Sequence, residues 1–377
     1  MREKLKRFLR QRVLPFFLIC FGAFVLFVAV FWLKCAFVKP TLGPLPTMAR
    51  QQGIAVPDIG EKNKRPVEDS YFSYPEWYIV WSYEERAQYL PKNLPSGFPY
   101  FASIGQYWKS YCFICGLTQS RNQFNFGDHL SSFVLGGSFA LEYSIRGAYE
   151  QTIGRLSEWT SSHELVEEDV YAARVAREYA DFVYIRPFYE FHFAHALKEL
   201  WKDTPLWGKH PVRKWERKFI LSMDYGLESV YAWILERASR LTYGLESDET
   251  HTWIENAPET LFREFPRIKN VKQVGPQSFV VIIPRYQEFT ERAIELAKRD
   301  VHFVQIAGDD EIMLTIVAPK NGSYDLPASN GSVLFTENFL TQPDLKRIAL
   351  ECPVRSLHSV LNFFSTRAIK IEHIYDY

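Results

Sequence analysis

The sequence predicts a membrane-anchored α+β protein: one N-terminal transmembrane helix, an α-helical domain, then a C-terminal ferredoxin-like α/β sandwich. Three observations carry this expectation. A run of 21 residues without a charge, Val13 to Leu33, follows a basic N-terminus. Apolar residues recur at helical spacing from about 68 to 246. From about 247 onward, strand and helix patterns alternate.

The apolar run is long enough to cross a hydrocarbon core of roughly 30 Å as a helix. It is hydrophobic all round and offers no face to water. Arg2, Lys4, Lys6, Arg7, Arg10 and Arg12 precede it, and only Lys34 and Lys39 follow closely. The positive-inside rule then makes 1–12 a cytoplasmic basic tail and 13–33 a signal anchor in the lipid bilayer. The body is expected outside the cytoplasm, with a bacterial inner membrane as the address. A cleaved signal peptide fits less well: Leu33-Lys34-Cys35-Ala36-Phe37 is a poor small-residue cleavage site.

Residues 34–67 are rich in Pro, Gly, Lys and Gln and predict an extended linker. The helical domain, 68–246, opens with Tyr74, Trp77, Tyr78 and Trp81 at i, i+3, i+4 and i+7. Ser73-Tyr74-Pro75-Glu76 places a proline where a first turn accepts it. Further helices are predicted over 103–116, 129–157, 167–184, 187–202 and 211–243. The apolar stretch 130–145 is too short to span a bilayer and predicts a buried core helix.

In 247–377, strands are predicted at 278–283, 301–306, 312–317, 347–351 and 369–375, with helices at 286–299 and 355–365. The order strand, Pro284, helix, Val301-His302-Phe303 repeats as strand, Pro353, helix, Ile369-Lys370-Ile371. Two such halves suggest a ferredoxin-like sandwich. Its expected core includes Val280, Ile282, Phe303, Ile306, Leu314, Ile316, Ile348, Leu357 and Leu361.

The chain has 44 basic and 44 acidic residues, and the basic tail leaves the body mildly acidic, which argues against nucleic acid as a partner. Aromatics make up 16% of the residues, which predicts aromatic packing or exposed aromatic patches near the bilayer. Five scattered cysteines are too few for a disulfide scaffold.

Three motifs carry candidate chemistry. Cys112 and Cys115 lie one helical turn apart; they fit a possible disulfide, a reactive thiol pair, or buried packing. His192, His195 and Glu199 lie on one helical face, a possible zinc or iron site with Glu142 or Glu150 completing it. Gly136-Gly137-Ser138-Phe139-Ala140 is one residue away from a nucleophile elbow, but its flanks are helical and its small residues suit close helix approach. No phosphate-binding glycine loop is present. The expected function is that of a single-pass envelope protein whose extracytoplasmic body binds an envelope protein or small ligand. The alternative is a membrane-tethered enzyme with a metal or thiol site in the helical domain.

Overall fold

The computed structural model describes residues 59–60, 63–65, 67–120, 126–242, 249–322, 330–367 and 369–376, together with Gly22, Leu26 and Val30. The basic tail, most of the linker and all but those three positions of the 13–33 anchor lie outside the described residues. Among the described residues no helix is long and apolar enough to cross a membrane.

A helical domain comes first. Its elements are α1 (Val67–Tyr89), α2 (Tyr100–Ser120), α3 (Phe126–Tyr149), α4 (Arg155–Thr160), α5 (Glu167–Val183), α6 (Phe193–Asp203) and α7 (Pro211–Thr242). A π-helical turn, Glu150–Gly154, joins α3 to α4. Helix α1 is central and packs on α2, α3 and α5. It starts six residues before the predicted Ser73, so Pro75 lies inside it. An internal proline forfeits a backbone bond and strains the preceding turn. Here that turn is held by tertiary contacts: Tyr71 and Phe72 are buried, and the Tyr71 hydroxyl donates to Glu351.

Helices α2 and α3 approach closely through glycine. A Cβ on Gly136 would stand 2.0 Å from the Tyr107 ring, and one on Gly147 would stand 2.8 Å from Tyr100 Cβ. This supports the close-approach reading of the Gly136–Ala140 stretch; Ser138 lies mid-helix, not on an elbow. The same helix corrects the expectation of a fully buried 130–145. Phe133, Phe139 and Tyr143 face inward, whereas Leu130, Val134, Leu141 and Ile145 are exposed.

Antiparallel sheets follow. The first half runs β1 (Glu249–Glu255), the short α8 (Leu261–Glu264), β2 (Lys269–Gly275), β3 (Ser278–Pro284), α9 (Gln287–Lys298) and β4 (His302–Ile306). The second runs β5 (Glu311–Pro319), β6 (Ser332–Asn338), β7 (Leu345–Pro353), α10 (Leu357–Ser365) and β8 (Lys370–Ile374). Their sheet orders, β2-β3-β1-β4 and β6-β7-β5-β8, are the same. The registers match too. The β1–β4 ladder shifts between Trp253 and Ile254, and the β5–β8 ladder shifts at the matching Thr315 and Ile316. A bulge at Asn270–Lys272 recurs at Val333–Phe335. Bulges are specific local devices, so their recurrence marks a tandem duplication.

This corrects the ferredoxin-like expectation. Each half builds its own four-stranded sheet with one helix, because β1, β2 and β6 add strands that the sequence pattern conceals. Strand β2 is exposed along nearly its whole length, so it has no buried face to impose alternation. A second correction concerns which face of β3 is inward. Phe279, Val281 and Ile283 enter the core, not Val280 and Ile282. An unbroken apolar run leaves its phase undetermined, and a one-residue slip reverses every side chain.

Helices α9 and α10 pack on each other, and one core, from Ile254 to Ile374, joins both sheets. The outer face of the second sheet carries α1. Met313, Leu334, Ala349 and Tyr375 join Tyr71, Tyr74 and Trp77 in one buried cluster. The Tyr74 hydroxyl donates to Glu337 at 2.6 Å. Arg347 pairs with Glu372 through Nη2 at 2.9 Å and lies 3.9 Å from the centre of the Trp81 ring.

Candidate functional site

With its back held by the second sheet, α1 presents its other face to a cleft of about 1930 Å³. Helices α3 and α7, the segment Tyr184–Glu190 and the β3–α9 corner line the rest of it. The two wall helices run antiparallel: Tyr231 Oη donates to Ser138 at 3.2 Å and Tyr149 Oη to Glu216 at 2.8 Å.

The floor is charged. Glu142 and Arg146 are one turn apart on α3, and Asp224 and Glu228 one turn apart on α7, so each pair shares a face. Arg146 meets all three carboxylates, at 3.1 Å from Glu142, 2.7 Å from Asp224 and 3.9 Å from Glu228. Arg146 thus faces three partly buried carboxylates, with the Arg86 charge also acting on Glu228. Burial, reinforced by the charge on Glu142, pushes Glu228 up to about 8, so it holds its proton at neutral pH. The Tyr83 hydroxyl donates to Glu142 at 2.6 Å. Burial raises the Tyr83 and Tyr179 phenols well above their ordinary values, which keeps both neutral.

Arg86 lies in the same wall. Its Nε is buried without a hydrogen-bond partner, and its guanidinium enters no ion pair among the described residues. The residue as a whole is half-buried, and its charge acts on Glu228.

The rim is apolar. Leu141 and Ile145 of α3, with Phe219, Met223 and Leu227 of α7, line the cleft and are also exposed. They belong to a stripe along α7 that continues through Val212, Trp215, Val230 and Ile234 at helical spacing.

Beside the cleft, Arg213 and Arg217 hold α7 to α3, α4 and α5. Arg213 is fully buried and donates to Ser157 at 2.7 Å and Asp169 at 3.0 Å. Arg217 pairs with Glu150 at 2.7 Å. The π turn brings Glu150 against Gly154, where a Cβ would lie 2.5 Å from its carboxylate. Tyr286 has φ +63°, strained for a side chain of that size, and it lines the cleft.

Of the sequence-predicted residues, Glu142 and Glu150 line the cleft and the others lie elsewhere. Cys112 and Cys115 carry thiols rather than a disulfide. They sit in the middle of α2, beyond the reach of its N-terminal dipole, and Cys115 is buried in the aromatic cluster. His195 Nε2 lies 3.2 Å from Glu199, a pair that Arg174 also approaches at 3.6 Å, while His192 caps the start of α6. Glu142 and Glu150 are engaged by Arg146 and Arg217 and complete no metal set with them. The cleft charges had a signal in sequence, namely acidic and basic residues at i, i+4 on otherwise apolar helices. Solvated faces show the same pattern, so it did not separate them. No family model, curated protein or solved structure matches the chain.

Proposed function

We propose that the chain is a single-pass, membrane-anchored envelope protein whose extracytoplasmic body binds an anionic amphiphile in the cleft between α1, α3 and α7. The observation that carries this reading is the pairing of Arg86, a half-buried cation whose buried Nε has no hydrogen-bond partner, with an exposed apolar rim. A carboxylate or phosphate head would meet Arg86, and an acyl chain would lie along Leu141, Ile145 and Leu227. At about 1930 Å³ the cleft exceeds the roughly 300–1,000 Å³ of ordinary small-molecule sites and leaves room for an extended ligand.

Membrane residence rests on the uncharged run 13–33 and the basic residues before it. A second feature supports a body lying against lipid. Among the described residues, Trp159, Trp201, Trp207, Trp215 and Trp233 are exposed, and all belong to the helical domain. Tryptophan collects at headgroup level. A reporter active only in the cytoplasm, fused after Tyr377, should be silent.

The binding test uses the full chain in detergent and a dansyl-labelled fatty acid. Saturable binding is expected, displaced by unlabelled phosphatidic acid and weakened about tenfold by Arg86→Gln, the loss of one charge-assisted contact. Leu227→Glu, at the exposed rim, should weaken it as well. Binding that ignores both substitutions, or no saturable binding, removes the proposal. A second reading, catalysis, has one observation in its favour: Glu228 holds a proton near neutral pH beside the cleft, as a general acid does. Turnover of a bound ester that is lost in Glu228→Gln, with binding retained, would favour it.

A further inference from the structure

We propose that Asp300, His302 and His358 form a binding site for a divalent transition-metal ion, of which zinc is the type, at the seam between the two duplicated halves. His302 opens β4 and Asp300 lies two residues before it, both in the first half. His358 stands on α10 of the second. One donor atom from each lies within 4.8 Å of the other two, the one such group of three among the described residues. Asp300 Oδ1 is 3.2 Å from His302 Nε2. The two imidazoles stack with centroids 3.9 Å apart and planes 18° apart. A tetrahedral zinc with bonds of about 2.0–2.1 Å needs its donors roughly 3.3 Å apart, and the two rings must tilt out of their stack so that both in-plane lone pairs meet at the ion.

Three further observations bear on the site. The buried His358 Nδ1 has no side-chain partner among the described residues; the ring is held by the Arg355 backbone and by Ser359 Oγ, 3.1 Å from Nε2, contacts that a metal would displace. The Asp300 carboxylate is oriented from behind: Asn256 Nδ2 donates to its Oδ2 at 3.1 Å and to its backbone carbonyl at 2.9 Å, the kind of support that fixes a metal-binding carboxylate. The third comes from the duplication. His302 pairs with Glu255 on β1 as Lys370 pairs with Val317 on β5. His358 lies five residues after Pro353 as Phe289 lies five after Pro284, and Asp300 corresponds to Ala368. The same fold therefore forms with Phe and Lys at the two histidine places, and the histidine pair is not a requirement of packing.

Two imidazoles and one carboxylate form a borderline nitrogen–oxygen set, which suits zinc, nickel or copper and not magnesium or calcium. Asp300 and His302 are largely exposed, so water completes the coordination. The ligands come from both halves, so the ion ties them together.

The experiment uses the full chain in detergent, stripped with chelator and titrated calorimetrically with zinc chloride. One equivalent should bind, raise the unfolding temperature, and be insensitive to excess magnesium. His358→Phe and His302→Lys install the residues of the other half, so each should keep the fold by circular dichroism and weaken zinc binding at least tenfold. Asp300→Asn provides a third variant should either unfold. His195→Ala should leave binding unchanged. No bound zinc, or binding that survives the His302 and His358 substitutions, overturns the proposal and leaves a stacked neutral histidine pair.

Discussion

On the outer face of the second sheet, Met313, Leu334 and Ala349 are covered by α1. At the matching places on the first sheet stand His251, Val271 and Val280. Glu337 and Glu351, which receive the hydroxyls of Tyr74 and Tyr71, are matched by Gly275 and Ile282. Among the described residues, the first sheet is covered by Ile59, which packs on Trp253, Val280 and Val304, and by Arg65, whose N–H bonds to Ala307 O at 3.0 Å. The inner faces of both halves share one core. The duplicated unit thus folds by its inward residues and is assigned its task by its outward ones. One copy holds the wall of the cleft, and the other supplies its β3–α9 corner.

The largest expected difference between the halves lies at Arg347 and its counterpart Ser278. Arg347→Ala leaves Glu372 buried and unpaired, a change that costs about 3–5 kcal/mol. Ser278→Ala removes only the acceptor of the Trp253 indole N–H, at about 1 kcal/mol. Denaturant titration of the full chain compares them; equal losses would break the distinction. The next contrast uses the two bulge residues. Leu334→Ala should cost roughly 2–4 kcal/mol as a core truncation. Val271→Ala, half exposed, should stay within about 0.5 kcal/mol.

A third contrast is a pH dependence that the second half carries and the first lacks at the matching place. Burial pushes Glu337 up to about 7. An acid raised on folding binds more protons folded than unfolded, so stability falls as pH rises from its ordinary value of 4.5 to about 7. Glu337→Gln should flatten that slope, by up to about 3 kcal/mol for a shift of about two and a half units at 1.36 kcal/mol each. Unfolding temperatures measured from pH 4.5 to 8 would show it, and an unchanged slope would place the titration elsewhere. Gly275, at the same place in the first half, has nothing to titrate.

Much of this architecture was legible in residue patterns, for identifiable reasons. The amphipathic helices and the two strand–proline–helix units announce themselves because each buries one face locally. Strands β1, β2 and β6 did not, because β2 is solvated and Glu249–Glu255 is mostly polar until it is paired on both sides. Pro75 misplaced the start of α1 because what overrides it is Glu351, far along the chain. The cleft was hidden for a similar reason. Glu142, Arg146, Asp224 and Glu228 look like solvated charges on two helices, and only the packing of α3 against α7 makes them one floor.

The contact between Tyr71 and Glu351 spans 280 residues. At a synthesis rate of roughly 5–20 residues per second, α1 therefore leaves the ribosome about 15–55 s before the strand that buries its tyrosines. For that interval its aromatic stripe has no sheet to lie on. The wall of the cleft is among the first segments made and among the last to be finished. Nascent chains halted before β7 should therefore be the form most readily captured by chaperones or lost to aggregation.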